Sequence, residues 1–471
     1  MAQTRRQFLV HTGCGALSAA ALLSGLGRFA LIDALAQPGD LADYKALVCV
    51  FLFGGNDANN IVIPYTNYAQ YDAIRPGGTQ FHVDQADLLQ INPPSHSGTT
   101  FGLHPALRNG FMGAPSLFDL WNQQKAATVC NMGPLIRPVT RAEFRAGLGR
   151  PYQLFSHSDQ QNLWQTSFAN SPRQTGWGGL TADRTGGSGS AFPAISSLAG
   201  VTVFSTGQNT RPLVLSPAPT PLDASLKLLR TSDKQAILDA LTADGQDPMP
   251  ALIQGAARIS KTAIDTSALL TDPNVGNDWP PTSIGNQLKQ VAKLMSLVPA
   301  LGVRRQIFFG SLGGFDTHTN QGNPTNGQQA NLWTQVSQAM GRLYKATVDL
   351  GISNQVTIFT SSDFSRTFVP GGGQTGTDHA WGSHQFVVGD AVQGADFYGT
   401  YPNLIVGDAT DSQDTDAGAG ARGRWIPSTS VDQFAATLAK WYGLADSDRT
   451  LVFSNIGNFS PQVLNFMRPG T

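Results

Sequence analysis

The chain has 471 residues, of which 41% are hydrophobic and 13% charged, and its formal net charge is -1 at pH 7. This length and hydrophobic content are enough to bury a sizeable core. The sequence has no polybasic stretch, so neither a nucleic-acid partner nor attachment to anionic lipid is expected. No repeat of about 20–50 residues is visible, which excludes solenoids and propellers.

The N-terminus has the pattern of an export signal. Arg5 and Arg6 precede an uncharged apolar run over residues 13–27, and a small-x-small ending follows at residues 34–36. This order predicts a twin-arginine signal peptide over residues 1–36. The run is too short and too rich in Gly and Ser to span a bilayer well, so no stable membrane span is expected in the mature chain. We therefore expect the twin-arginine translocase as a partner during export, and a periplasmic or extracellular location.

Five apolar runs predict the strands of one sheet. The first, over residues 46–53, is apolar on both faces and ends at Gly54, which is typical of a strand covered by helices on both sides. The other four runs cover residues 127–130, 305–310, 356–360 and 385–389. Cys49 and Cys130 both lie in such apolar stretches, so two buried thiols are favoured over a disulfide.

Helical patterns alternate with these strands, over residues 117–124, 224–241, 283–297, 328–350 and 431–442. The alternation predicts an α/β fold with a doubly wound, mostly parallel sheet flanked by helices, in a single domain over residues 44–465. Residues 171–232 break the pattern, with short β-like pieces at 201–204 and 212–215 among Gly, Ser and Pro. We interpret this stretch as a loop-rich insertion or cap.

Acids and imidazoles follow the predicted strands. Asp57 comes after the first strand, Asp316 and His318 come after the run at 305–310, and Asp363 comes after the run at 356–360. In an open α/β sheet the carboxyl ends of the strands meet at one edge, where ligands bind. Asp316 and His318 are two residues apart, so in extended chain they point the same way.

His379 and His384 stand shortly before the last predicted strand, in a chain with only eight histidines. Carboxylates and imidazoles together are the ligand set of zinc, manganese or a related divalent ion such as calcium. The joint pattern predicts a site for one or two divalent metal ions, with the ligands Asp57, Asp316, His318, Asp363, His379 and His384. Taken singly, an acid after a strand is more often a helix N-cap, and a lone histidine is more often a hydrogen-bonded loop residue.

Two further features have open interpretations. Arg366 is either part of a surface ion pair or a planar fork aimed at a phosphate or sulfate group. The polar segment 156–161 is either a capping turn or a catalytic element, with His157 at the rim of the site and the hydroxyl of Ser156 or Ser158 as a nucleophile. No Gly-x-Ser-x-Gly elbow and no phosphate-cradling loop is present, which argues against a serine hydrolase or a nucleotide-binding protein.

Several spaced motifs resemble the exported bacterial family known as domain of unknown function 1501 (DUF1501), and the resemblance runs from about Val48 to Tyr442. These motifs cover residues 51–57, 103–107, 314–318, 378–384 and 429–433. That family is similar to the alkaline phosphatase and sulfatase superfamily. The resemblance therefore implies an alkaline phosphatase-like fold, with one or two divalent metals at the strand ends.

Residue by residue, the resemblance implies that Asp57 is the metal acid of the first strand and that Asp316 and His318 are a ligand pair. It further implies an acid after a late strand at Asp363 and a last imidazole at His379 or His384. The implied activity is metal-dependent hydrolysis of a phosphate or sulfate ester, on a small molecule or a polymer, with Arg366 neutralising developing negative charge. No nucleophile motif of the superfamily is recognisable, which favours the alternative of a non-catalytic exported binding protein on the same scaffold.

Overall fold

The computed structural model describes residues 43–185, 192–222, 224, 270–407 and 413–471. The predicted signal peptide and nearly all of the predicted helix at 224–241 lie outside the described residues. The strands in chain order are β1 (Lys45–Leu52), β2 (Val62–Pro64), β3 (Leu89–Ile91), β4 (Phe101–Leu103), β5 (Ala126–Gly133), β6 (Ile195–Ser197), β7 (Leu213–Val214), β8 (Arg305–Leu312), β9 (Val356–Ser362), β10 (Ser383–Val388), β11 (Phe397–Tyr398) and β12 (Thr429–Ser430).

The described α-helices are α1 (Ala58–Ile61), α2 (Tyr68–Ile74), α3 (Leu117–Asn122), α4 (Arg141–Arg145), α5 (His157–Thr166), α6 (Trp177–Thr185), α7 (Ser283–Ser296), α8 (Val298–Leu301), α9 (Gln328–Asp349), α10 (Val431–Tyr442) and α11 (Arg449–Val452). Short 3-10 turns lie at Gln85–Asp87, Pro94–His96, Pro105–Arg108, Gly372–Gln374, Asp446–Asp448 and Ile456–Asn458.

One large sheet organises the described part of the chain. Its strand order is β11-β5-β10-β9-β1-β8-β6-β7, and β12 pairs with β5. Every pair is parallel except those of β10, which runs antiparallel to both β5 and β9. Strands β2, β4 and β3 form a separate antiparallel sheet.

The core lies on both faces of the large sheet. Because successive side chains of a strand point to opposite faces, β1 places Val48 and Val50 in one core cluster and Leu47 and Cys49 in the other. Helices α7 and α9 cover the first cluster, whereas α6 and α10 cover the second. The predicted α/β class, a doubly wound and mostly parallel sheet flanked by helices, is confirmed.

All five predicted strands are present, and each is within a few residues of its expected bounds. Residues 201–204 form turns instead of a strand. The described part of the stretch 171–232 contributes strands β6 and β7 to the edge of the large sheet, and its helix α6 packs on one face of that sheet. This part therefore extends the sheet instead of forming a separate cap. Cys49 and Cys130 are buried free thiols, as expected. Within the described residues, no helix combines the length and apolar character needed to cross a membrane.

Candidate metal centre

Three segments of chain that follow or precede central strands meet at one edge of the large sheet. Asp316 follows β8, Asp363 follows β9, and His379 precedes β10. Strand β1 lies between β8 and β9, and its end supplies Gly54. Gly54 has φ +114°, and a Cβ there would lie 2.3 Å from the backbone nitrogen of Asp316. Only glycine therefore allows the β1 loop to approach Asp316 this closely.

His157, Asp316 and His379 form the centre of the site. Each offers one ligand atom, and these three atoms all lie within 4.8 Å of one another. His157 Nε2 is 3.4 Å from Asp316 Oδ2, and His379 Nε2 is 3.5 Å from Asp316 Oδ1. We call this group the inner trio. Two of its members were predicted as metal ligands, whereas His157 was predicted at the rim of the site.

The ring of His157 is oriented by a buried carboxylate. Its Nδ1 lies 2.7 Å from Oδ2 of Asp363, an acid with no exposed side-chain surface. The same oxygen accepts hydrogen bonds from Gly54 N at 3.2 Å and from Gln161 Nε2 at 2.9 Å. The hydrogen bond to Asp363 raises the pKa of His157. Since Nδ1 donates to the carboxylate, Nε2 faces the inner trio, and a carboxylate behind an imidazole is a common support for a metal ligand.

The ring of His379 is oriented by a backbone carbonyl. Its Nδ1 lies 2.8 Å from the oxygen of Phe155, which can only accept a hydrogen bond, so Nδ1 carries the proton and Nε2 of the neutral ring has the lone pair. Phe155 has φ +77°, an uncommon backbone conformation for a bulky residue. Burial lowers the pKa of His379, which favours the neutral ring that a metal requires.

Asp316 is held by Arg366. Arg366 Nη1 donates to Asp316 Oδ1 at 2.7 Å and to the carbonyl of Gly54 at 3.2 Å, and its remaining bonds go to Thr377. Burial alone would raise the pKa of Asp316, but the hydrogen bond and charge of Arg366 outweigh it and lower that pKa. The guanidinium of Arg366 has no exposed surface. It is thus neither in a surface ion pair nor open to the crevice; it forms a buried support for Asp316.

His318 lies on the outer side of the inner trio. Its Nε2 is 3.0 Å from both Asp316 Oδ1 and His379 Nε2. Its Nδ1 is 3.3 Å from Oδ1 of Asp378, whose other oxygen accepts from Arg422 at 2.9 Å. The side chain of His318 is 43% exposed. His318 thus joins the cluster from the solvent side.

Asp57 does not join the cluster. It forms a fully buried ion pair with Arg75, with Nη1 to Oδ2 at 2.8 Å and Nη2 to Oδ1 at 3.1 Å, and Gln321 donates to it as well. Arg75 also donates to the carbonyls of Thr367 and Phe368. Both oxygens of Asp57 are therefore used within the protein, and its observed contacts are those of a structural ion pair, not of a ligand.

His384 does not join the cluster either. Its Nδ1 accepts a hydrogen bond from the backbone of Asn131 at 3.0 Å, and its ring stacks on Tyr401. Burial lowers its pKa to about 3, so the ring is neutral. Of the two imidazoles that the sequence left as alternatives, the structure brings only His379 to the inner trio.

Ser156 occupies the N-cap position of α5, but its side chain makes no cap hydrogen bond to the helix backbone. Its hydroxyl donates instead to Asp159 Oδ2 at 2.6 Å, three residues on. In the capping box of α3, by contrast, the Ser116 hydroxyl accepts from the backbone nitrogen of Asp119 and also donates to its carboxylate at 2.7 Å. The structure thus shows a local Ser–Asp hydrogen bond at Ser156, and both interpretations of segment 156–161 stay open.

Several supporting residues were not assigned from the sequence. Gln161 follows His157 by four residues on one helix, so helical spacing could have placed both on the same face. Asp378 and Arg422 meet only through the fold, and the carbonyl of Phe155 has no signal in the sequence. The ion pair of Arg75 with Asp57 was also not indicated by any pattern in the sequence.

The cluster has the donor set of a zinc-type site. Tetrahedral zinc has bonds of about 2.0–2.1 Å, which places its ligand atoms about 3.3 Å apart. The Oδ2 atom of Asp316 is 3.4 Å from His157 Nε2, and its Oδ1 atom is 3.0 Å from His318 Nε2 and 3.5 Å from His379 Nε2, so the histidines approach different oxygens at about this spacing. His157 Nε2 is buried and has no hydrogen-bond partner among the described residues. A buried ring nitrogen without a partner, beside a carboxylate and a second imidazole, is an atom that a metal ion could use.

Comparison with protein families supports the resemblance found in the motifs. A model described as "Protein of unknown function (DUF1501)" matches residues 256–418. The resemblance to DUF1501 is therefore confirmed over this range. The DUF1501 match includes Asp316, Asp363 and His379, whereas His157 lies outside it. Among curated proteins, no relative matches the chain.

Among solved structures, the chain is similar to the PsFucS1 sulfatase from Pseudoalteromonas sp., with 11% identity and a TM-score of 0.31, over 86% of this chain and 68% of the sulfatase. It is also similar to a multiply substituted variant of the alkaline phosphatase PafA, with 11% identity and a TM-score of 0.24, over 69% of this chain and 64% of that enzyme. These likenesses are distant, so the chemistry of the site rests on its own side chains.

Proposed function

We propose that the protein is an exported, metal-dependent hydrolase of phosphate or sulfate esters. One observation carries the proposal: two imidazoles and a carboxylate of the inner trio present their ligand atoms within 4.8 Å at the carboxyl edge of a parallel sheet. Both imidazoles have Nδ1 hydrogen-bonded behind them, so both Nε2 atoms face this common space. Such preorganisation is costly to build without a ligand, since it brings polar groups together in a partly buried place.

The inner trio would hold the ion, with zinc favoured over manganese or calcium because nitrogen donors predominate. When bound, such an ion polarises an ester oxygen and lowers the pKa of a water molecule. Asp363 and the Phe155 carbonyl keep the two rings in the required tautomer, and Arg366 keeps Asp316 in place. The Ser156 hydroxyl donates to the carboxylate of Asp159, so water is the proposed nucleophile.

The substrate class rests on the superfamily resemblance that the sequence motifs imply and on two arginines near the site. Arg422 is joined to His318 through Asp378, and Arg424 donates to the backbone carbonyl of His379 at 2.9 Å. Both guanidinium groups are partly exposed, and each is paired with an aspartate, Arg422 with Asp378 and Arg424 with Asp416. We expect these arginines to contact the anionic group of an ester, on a small molecule or on a polymer.

The test combines metal analysis with turnover. Elemental analysis of the exported protein is expected to find about one zinc per chain. Phosphate and sulfate monoesters and diesters are then screened with added zinc, manganese or calcium. Asp316→Ala should abolish both metal binding and turnover, whereas Asp349→Ala, a change in an exposed helical ion pair with Lys345, should affect neither. Protein that contains no metal and takes up none on titration would overturn the proposal.

A second candidate is a binding protein that holds a polymer or partner without cleaving it. The observation in its favour is that the hydroxyl of the predicted nucleophile, Ser156, is hydrogen-bonded to Asp159 of the same helix. Metal binding without turnover across the whole ester panel would support this candidate over the hydrolase.

A further inference from the structure

The three members of the inner trio are anchored from behind by buried groups. His157 contacts Asp363 at 2.7 Å, and Asp316 contacts Arg366 at 2.7 Å; neither supporting side chain has any exposed surface. His379 contacts a backbone carbonyl at 2.8 Å. Charged hydrogen bonds in a buried place are strong and keep their geometry.

His318 is anchored in a different way. Its Nδ1 contact to Asp378 is longer, at 3.3 Å, and 45% of the Asp378 side chain is exposed. The carboxylate of Asp378 is shared with Arg422, which is itself 31% exposed. Exposed ion pairs of this kind hold a side chain weakly.

His318 also occupies a distinct place around the site. Its Nε2 is 3.0 Å from Asp316 Oδ1 and 3.0 Å from His379 Nε2, on the solvent side of the inner trio. It thus lies at ligand-to-ligand distance from two members of the trio. In catalytic zinc sites three protein ligands are fixed, and the fourth position belongs to an exchangeable group.

Resting on the proposed function, we propose that His318 is an exchangeable fourth ligand that leaves the ion to admit substrate. Asp378 and Arg422 are positioning residues that hold the departed imidazole at the rim. The inner trio keeps the ion during this exchange. Metal retention accordingly depends on His157, Asp316 and His379, and access to the ion depends on His318.

The test measures metal binding by the full chain, freed of metal by a chelator. Zinc affinity is measured by calorimetry. In a second experiment the protein is loaded with Co²⁺, free imidazole is added, and its binding to the Co²⁺ ion is followed by the visible spectrum. His318→Ala should lower zinc affinity by no more than about tenfold, whereas His157→Ala and His379→Ala should each lower it by at least about 100-fold. In the Co²⁺ form, free imidazole should change the spectrum of His318→Ala at lower concentration than that of the wild type. His96→Ala, at a partly exposed histidine outside the cluster, is the matched control.

The outcomes separate the two proposals. If His318→Ala loses zinc as severely as His157→Ala, His318 is a fixed ligand and this inference fails while the hydrolase proposal stands. A wild type that binds neither zinc nor Co²⁺ overturns the proposed function itself. The variant His318→Asn keeps a polar side chain and should show the same zinc affinity and the same response to imidazole as His318→Ala. Agreement between the two variants would show that the effect does not come from a folding defect in one of them.

Discussion

The Nδ1 atom of His157 lies 2.7 Å from Oδ2 of Asp363, although 206 residues separate the two in the chain. One residue begins a helix and the other ends a central strand. Their contact fixes the direction of the His157 ring. In the proposed metal site Asp363, predicted from the sequence as a direct ligand, would support His157 through this contact.

Replacing Asp363 tests this support. In Asp363→Asn the side chain keeps its shape but loses its charge, so His157 loses the charged acceptor that favours an outward Nε2. We expect zinc affinity to fall about 10–100-fold, as measured by calorimetry. Asp349→Asn should leave it unchanged. Equal affinity in wild type and Asp363→Asn would mean that another group orients the ring.

The Asp57–Arg75 pair is predicted to stabilise the fold and not to bind the ion. Arg75→Ala leaves a buried, unpaired carboxylate, so we expect the free energy of unfolding in urea to fall by about 3–5 kcal/mol. As a control, Lys345→Ala removes an exposed ion pair with Asp349 and should lower the free energy of unfolding by at most about 0.5 kcal/mol. Folded Asp57→Asn should bind zinc like the wild type, and a loss comparable to that of Asp316→Ala would return Asp57 to the ligand set.

Asp432 is expected to make stability depend on pH. Burial raises its pKa to about 7, well above the ordinary value of an aspartate. Between pH 4 and 7 the folded chain binds this proton and the unfolded chain does not, so the contribution of Asp432 to stability is fully present below about pH 4 and is lost as pH rises to about 7. The loss should be on the order of 2–4 kcal/mol in urea unfolding. Asp432→Asn should remove this part of the slope, and an unchanged slope would show that other groups cause it.

Ser156→Ala tests whether the hydroxyl is a nucleophile. The substitution removes the local hydrogen bond to Asp159, so it should cost about 0.5–1.5 kcal/mol of stability and leave the turnover of a cleaved ester nearly unchanged. Ser116→Ala, which also removes a cap of the α3 backbone, should cost about 0.5–2 kcal/mol. Retained stability together with a complete loss of turnover would instead identify the hydroxyl as the attacking group.

The export signal has its own test. Replacing Arg5 and Arg6 by lysine should block passage through the twin-arginine route, since that route requires the arginine pair. Precursor should then accumulate in the cytoplasmic fraction on immunoblots. Mature protein that reaches the periplasm at the wild-type level would contradict the predicted pathway.

The central strands were predictable because β1, β8 and β9 are short, mainly apolar runs, whereas an exposed strand alternates apolar and polar residues. Their length separates them from buried helices, which are longer. Strands β2, β3, β4 and β6 were missed, since each has only three residues and shows no period. The helical patterns near α7, α9 and α10 matched because their apolar faces pack on the sheet.

The site was predicted in part. Asp316, His318 and His379 follow or precede central strands, and the carboxyl edge brings them together. Asp57, which was predicted as a metal ligand, lies outside the cluster because Arg75, 18 residues later in the chain, donates hydrogen bonds to both of its carboxylate oxygens. His384 lies on β10 and bonds to the neighbouring strand β5, a pairing that spacing along the chain does not reveal.

The inner trio comes from three distant stretches of chain, so its donors are assembled only after the polypeptide has folded. An unfolded chain offers these groups one at a time and would hold an ion weakly. A bound metal ion would then link the start of α5, the end of β8 and the segment before β10, and its binding free energy would add to the stability of the folded chain. A chain loaded before export would cross the membrane as a more rigid body than the empty chain.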